Sequence, residues 1–227
     1  MSARPRVGLL GGTFDPIHVG HLAAAFAAAL ALRLDTVRFI LSARPPHRTD
    51  SPRASEYHRL EMIRLAIADA IGAATNVRQR HPVHLEVSDL ELRREGPSYT
   101  FDTLTAMHRE GLSPLQIYFI IGADAFAEIA SWHRYPEVLD AANFAVVARA
   151  GTTLEDLRAR LPALAQRMAQ ASEIGDTATP LIILLEADTP DVSATDIRRR
   201  VTRDESLDGF VTPAVAAYIA QHSLYLN

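Results

Sequence analysis

Residues 6–22 read RVGLLGGTFDPIHVGHL, and the order of residue types along them sets the architecture. The apolar run ending at Gly11 has the length and character of a strand buried on both faces. Gly11 and Gly12 let the backbone take unusual dihedrals and approach a ligand closely. Pro16 stiffens the turn that follows. A helix is expected from close to Val19. A strand that passes into a helix through such a turn leaves unpaired N–H groups and a partial positive charge beside whatever the turn holds, which favours phosphate. His18 and His21 fall at that helix end, where an imidazole N–H can donate to a phosphate oxygen. Gly20 leaves room between them for a flat base or a sugar. The string is neither a P-loop nor the GxGxxG turn. By themselves, two histidines three apart also suit a metal pair or plain polar residues in a helix cap.

The same alternation continues along the chain. Apolar runs at 6–11, 36–42, 83–89, 116–122, 143–148 and 180–186 read as strands. Helices are expected near 20–33, 55–71, 100–110, 124–130, 153–171, 194–203 and 213–222. Strand and helix in turn imply an α/β fold with a mostly parallel sheet, and such sheets bind ligands beyond the carboxyl ends of their strands. Leu154, Leu157, Leu161, Leu164 and Met168 share a helical face, but Pro162 should kink or divide that helix. Thr212 and Pro213 read as a cap and a first helical residue, followed by an apolar face of Val215, Tyr218 and Ile219. One domain over 1–227 is expected, with 151–179 a helical insertion and 190–227 a C-terminal helical part.

Composition narrows the chemistry. The chain has 227 residues, 48% hydrophobic, enough for a substantial core. Cysteine is absent, which excludes disulfides, thiolate metal sites and a cysteine nucleophile. All 23 basic residues are arginine. That removes a Walker lysine, a Schiff base and a lysine nucleophile, so any phosphate must be held by Arg, His, backbone N–H groups or a metal. A net charge of −4 argues against broad nucleic-acid binding. No run is long enough for a membrane span and the start lacks a signal-peptide core, so a cytoplasmic protein is expected.

A second constellation, DVSATDIRRR, covers 191–200 and follows the strand PLIILLE. Ser193 and Asp196 have the spacing of a capping box. Arg198, in the first turns, can fork onto phosphate oxygens, whereas Arg199 and Arg200 read as a solvated face.

Together these pieces resemble the HxGH nucleotidyltransferase superfamily, and within it the nicotinate-mononucleotide adenylyltransferases. The likeness is carried by GGTFDPIHVGHL (11–22), PPHR (45–48), GPSYTFDTL (96–104), FIIGADAFAEIASW (119–132), VSATDIR (192–198) and the tail TPAVAAYIAQHSLY (212–225). It runs in order along nearly the whole chain. PSYT with GAD and the tryptophan point to this member; segment 151–179 matches no motif.

The resemblance implies a Rossmann-like, doubly wound α/β sheet with helices on both faces. It implies adenylyl transfer from ATP to nicotinate mononucleotide in NAD biosynthesis, with Mg²⁺ and with no metal ligands of the protein's own. His18 and His21 would contact the ATP phosphates, His18 at the α-phosphate, and Arg198 would join them as a catalytic cation. Gly12, Thr13, Phe14 and Gly20 would complete the phosphate turn, with Ser193 and Thr195 at the outer phosphates. Gly122 and Asp124 would meet the adenosine. His47 would lie near the reacting phosphates, with Arg48 beside it. Trp132 would stack on the pyridine ring, Tyr99 and Thr100 would line that pocket, and the backbone N–H of His133 would join Thr100 at the carboxylate. His133 stands where the family often has an aromatic residue. The partners are small molecules, with neither nucleic acid nor membrane, and a homo-oligomer is left open. The same chemistry on nicotinamide mononucleotide or phosphopantetheine, a metal-dependent hydrolase and a nucleotide sensor are the rival readings.

Overall fold

The computed structural model describes residues 5–46, 51–74, 83–148, 154–174 and 177–226. Seven strands form one sheet: β1 (Val7–Gly12), β2 (Thr36–Leu41), β3 (His84–Ser88), β4 (Ile117–Gly122), β5 (Asn143–Ala148), β6 (Met168–Gln170) and β7 (Ile182–Glu186). Their order is β3-β2-β1-β4-β5-β7-β6, and every pairing within the sheet is parallel. The helices are α1 (Val19–Leu32), α2 (Glu56–Ala74), α3 (Thr100–Arg109), α4 (Ala123–Phe126), α5 (Leu154–Arg160), α6 (Ala194–Thr202) and α7 (Pro213–Gln221).

Strand side chains alternate between two cores. Leu10, Phe39, Ile120 and Val147 pack with α1, α2, α6 and α7. Leu9, Phe119, Phe144 and Val146 pack with Leu104 and Met107 of α3, Phe126 of α4 and Leu157 of α5. Helices therefore cover both faces, and the runs are apolar at successive positions because both faces are dry. The alanines of α1 let it lie close to the sheet, with Ala25, Ala28 and Ala29 buried.

Three local expectations are corrected. The helix expected over 153–171 ends at Arg160; a 3-10 turn over Pro162–Arg167 follows, and Met168–Gln170 pairs with β7 as the edge strand. Pro162 cannot donate within a helix, and a three-residue strand without β-branched residues gives no period to read. The 151–179 segment is thus not a purely helical insertion. The helix expected over 124–130 is two short pieces, α4 and a 3-10 turn at Ile129–Ser131. The side chain of Thr212 makes no cap bond to α7; Asp69 of α2 accepts from the Ala214 N–H instead, at 2.8 Å. Among the described residues, no helix is long and apolar enough to cross a membrane.

Candidate active site

The strand order reverses between β1 and β4, which pair directly although α1, β2, α2, β3 and α3 separate them in sequence. The connections leave these neighbouring strands in opposite directions, so their carboxyl ends part into a crevice. An open cleft of about 650 Å³ lies there. Its floor is the ends of β1 and β4, and its lining includes Gly12, Thr13, His18, Gly20 and His21 from one strand end and Gly122 and Asp124 from the other.

Local sequence explains the shape of the first turn. A Cβ on Gly12 would stand 2.9 Å from the Phe14 ring, so only glycine allows the loop to fold back this tightly. Phe14 itself is buried, at φ 48°, with its ring edge-on to His21 at 4.9 Å; it braces the turn and does not line the cleft. His18 is the N-cap residue of α1. Its N–H donates to Nδ1 of His21 at 3.2 Å, which fixes the neutral His21 as the tautomer with its proton on Nε2. The two rings stack at 3.7 Å. A Cβ on Gly20 would come within 3.1 Å of His18 Nδ1 and 3.4 Å of the Pro190 carbonyl, so a side chain there would push the imidazole aside. Burial lowers the pKa of His18 to about 4, because an imidazolium loses its hydration there. In the free site His18 is therefore a neutral donor near pH 7. The N–H of Val19 is already taken by the Phe210 carbonyl at 3.0 Å, which reduces the free amides that the helix end was expected to offer.

The 191–200 motif closes on the same turn. Ser193 caps α6: its Oγ accepts from the Asp196 N–H at 3.1 Å and donates to the Asp196 carboxylate at 2.9 Å. Thr189, Pro190 and Val192 line the cleft, while Ser193, Thr195 and Arg198 lie outside its lining. Arg198 donates to the Asp15 carbonyl at 2.7 Å and to Thr195 Oγ1 at 3.1 Å. The two motifs, far apart in sequence, are thus joined directly.

The opposite wall comes from the end of β2, the stretch between β3 and α3, and α3 itself. Thr100, the first residue of α3, lines the cleft with Ser98, Thr103 and Glu91. Ser98 Oγ accepts from the N–H groups of Ala43 and Arg44, both at 3.0 Å, tying the end of β2 to the start of α3. Trp132 lines the cleft edge-on to Phe119 at 6.1 Å. Tyr99 and His133 do not line it; they stack on each other at 4.2 Å. His47 and Arg48 lie outside the described residues.

Four residues here carry no readable signal in the sequence. Asp15, 3% exposed, and Arg59, 1% exposed, are buried charges beneath the phosphate turn. Arg59 donates to the carbonyls of Thr13 and Ser42 at 2.8 and 2.9 Å, which stitches β1 to β2 below the cleft. Glu91, 7% exposed, accepts from the Thr103 hydroxyl at 2.5 Å. Tyr225 reaches Asp15 from the end of the chain. In sequence, each is an ordinary polar residue in a turn, an amphipathic helix or a tail; only long-range contact gives it a role.

Comparison with known proteins agrees with this geometry. The cytidylyltransferase-like family model matches residues 9–200. A protein of Roseiflexus sp. strain RS-1 named "Probable nicotinate-nucleotide adenylyltransferase" is 41% identical over 225 residues, covering 99% of this chain and all of the relative. One of the same name from Chromobacterium violaceum is 40% identical, covering 97% and 98%. Among solved structures, Plasmodium falciparum nicotinic acid mononucleotide adenylyltransferase complexed with NaAD superposes with a TM-score of 0.68 at 17% identity, over 98% of each chain. At that identity the likeness is one of fold.

Proposed function

Because the chain belongs to the cytidylyltransferase-like family, we propose that it transfers the adenylyl group of ATP to nicotinate mononucleotide. The products are nicotinate adenine dinucleotide, the deamido form of NAD, and pyrophosphate. The observation that carries this reading is one cleft at the β1–β4 crevice lined by the histidine turn, by Gly122 and Asp124, and by Thr100 and Trp132. It offers donors for a triphosphate, an acceptor for a ribose and a ring for a pyridine.

In the reaction an oxygen of the acceptor phosphate bonds to the α-phosphorus of ATP. The bond from that phosphorus to the bridging oxygen breaks, and its electron pair leaves with pyrophosphate. The acceptor is the nucleophile, so the protein must orient two anions and stabilise the charge that gathers between them. His18 is assigned to the α-phosphate as a neutral N–H donor, and His21 presents Nε2–H beside it. Gly12, Thr13 and Gly20 give the close backbone approach, and the buried Phe14 holds the turn that presents them. Arg198, with Ser193 and Thr195, is assigned to the outer phosphates from the edge of the cleft, and Asp124 and Gly122 to the adenosine. On the other wall Thr100 donates to the nicotinate carboxylate with the His133 N–H, and Trp132 stacks on the ring; Tyr99 supports His133 from behind.

Among the described residues, no three His, Asp or Glu side chains converge as metal ligands. A Mg²⁺ carried in on the triphosphate would shield the charge of the leaving pyrophosphate.

The test is pyrophosphate release from ATP with nicotinate mononucleotide or its amide as acceptor. Release is expected to depend on the acceptor and to favour the acid. Equal rates would remove the role given to Thr100, and no release with either would remove the reading itself.

A further inference from the structure

Asp15 lies outside the cleft lining, and no step of the reaction uses it, yet three segments converge on it. Its carboxylate accepts from the N–H groups of Arg53 and Ala54 at 2.8 and 3.0 Å and from the Tyr225 hydroxyl at 2.9 Å. A terminal nitrogen of Arg198 stands 3.9 Å from the same carboxylate and donates to the Asp15 carbonyl at 2.7 Å. Arg198 is thus held on its inner side by Asp15 and on its outer side by Thr195. Burial and the Asp15 charge push the ionisation of Tyr225 far upward, so its hydroxyl keeps the proton that it donates. The charges of Arg198 and Arg59 act on that hydroxyl in the opposite direction.

We propose that Asp15 and Tyr225 are a buried positioning pair for Arg198, setting the direction from which its guanidinium meets the outer phosphates of ATP. Neither residue touches a substrate. The inference rests on the ATP site described above. An arginine side chain has many rotamers, and one already held along an edge offers its remaining N–H groups without that ordering cost. The Tyr225 hydroxyl shares Oδ1 of Asp15 with the Ala54 N–H, while Oδ2, the oxygen near Arg198, is held by the Arg53 N–H. Without the hydroxyl Oδ1 loses one of its two donors, and the less compensated carboxylate draws the Arg198 guanidinium more strongly, in competition with phosphate.

The experiment is a double-mutant cycle in the full chain, with KM measured for ATP and for the acceptor separately. Tyr225→Phe, which removes one hydrogen bond to a charged group, is expected to raise the KM for ATP about five- to tenfold and to leave the acceptor KM within about twofold. In the Arg198→Ala background the same change is expected to add nothing, because no guanidinium remains to be aimed. An equal rise in both KM values, or the same Tyr225→Phe factor with and without Arg198, would reduce the pair to plain structural support and overturn the proposal. The cycle can also be read from the Kd for ATP alone. If no acceptor yields pyrophosphate, the proposed function fails, while non-additive ATP binding still decides the role of the pair.

Discussion

The two walls of the cleft are built differently. The phosphate wall is local in sequence, residues 12–21, and is braced from below by buried charges: Arg59 on the Thr13 carbonyl, and Asp15 joined to Arg198 and Tyr225. The acceptor wall is assembled from the end of β2, the stretch between β3 and α3, α3 and the turn after α4. It is held by stacked rings and hydroxyl bonds: Tyr99 on His133, Trp132 on Phe119, Ser98 on the Ala43 and Arg44 amides. Charged groups that lose a partner in a dry interior cost far more than stacked rings at a cleft edge. The phosphate wall should therefore be rigid and intolerant of change, and the acceptor wall adjustable.

The most severe test of this contrast is Arg59→Met. It fills similar volume but strips the donor from the part-buried carbonyls of Thr13 and Ser42 and removes a charge buried beneath the turn. The expected loss of folding stability is about 3 kcal/mol or more, read from urea unfolding. A loss below about 1 kcal/mol would mean that the charged brace is idle. Next comes His18→Ala. Removing one donor aimed at developing charge should lower kcat about 10²–10³-fold with little change in the acceptor KM. An unchanged kcat would take charge stabilisation away from His18.

On the acceptor wall, Trp132→Ala is expected to cost less and in a different parameter. Base stacking on an aromatic side chain is worth about 1–3 kcal/mol, and a pyridine ring belongs near the lower end, so the acceptor KM should rise about fivefold to tenfold while kcat holds. A fall in kcat comparable to that of His18→Ala would erase the distinction between the walls.

Legibility follows the same division. β1, β4, β5 and β7 are legible because burial on both faces makes each a nearly continuous apolar run, and β2 and β3 because apolar residues recur along them; β6 is not, since Met168–Gln170 owes its state to the β7 edge beside it. His18 and His21 were visible because they follow a strand end, where a parallel sheet places its ligands; Gly122 and Asp124 also stand at a strand end, but the adenosine role given to them came through resemblance. Thr100 and Trp132 were visible only through resemblance, as nothing in their own spacing separates a pocket aromatic from a core one. Asp15, Arg59 and Tyr225 were invisible for a physical reason. A buried polar contact is a statement about two distant positions, and Asp15 and the Tyr225 hydroxyl that donates to it are 210 residues apart. Local periodicity carries no record of such a pairing. The cap of α7 makes the point on a small scale: Thr212 has the residue type and position of a cap, but a carboxylate from α2 reaches the amide.

The gentlest test concerns the protonation of His18. Burial holds its pKa near 4 in the folded chain, against 6.5 for a free imidazole. Between those values the unfolded chain binds more protons than the folded one, so stability falls as the pH falls. The contribution is complete above about 6.5 and is lost as the pH drops toward 4. His18→Asn removes the titration while keeping a polar side chain. The stability difference between the wild-type chain and this variant should accordingly shift against the wild type on acidification from pH 7 to pH 4.5, as measured by urea unfolding at each pH. A difference that stayed constant would mean that His18 titrates as it does in water. The phosphate wall would then be as open to solvent as the acceptor wall, and the reason for treating His18 as a neutral donor would be gone.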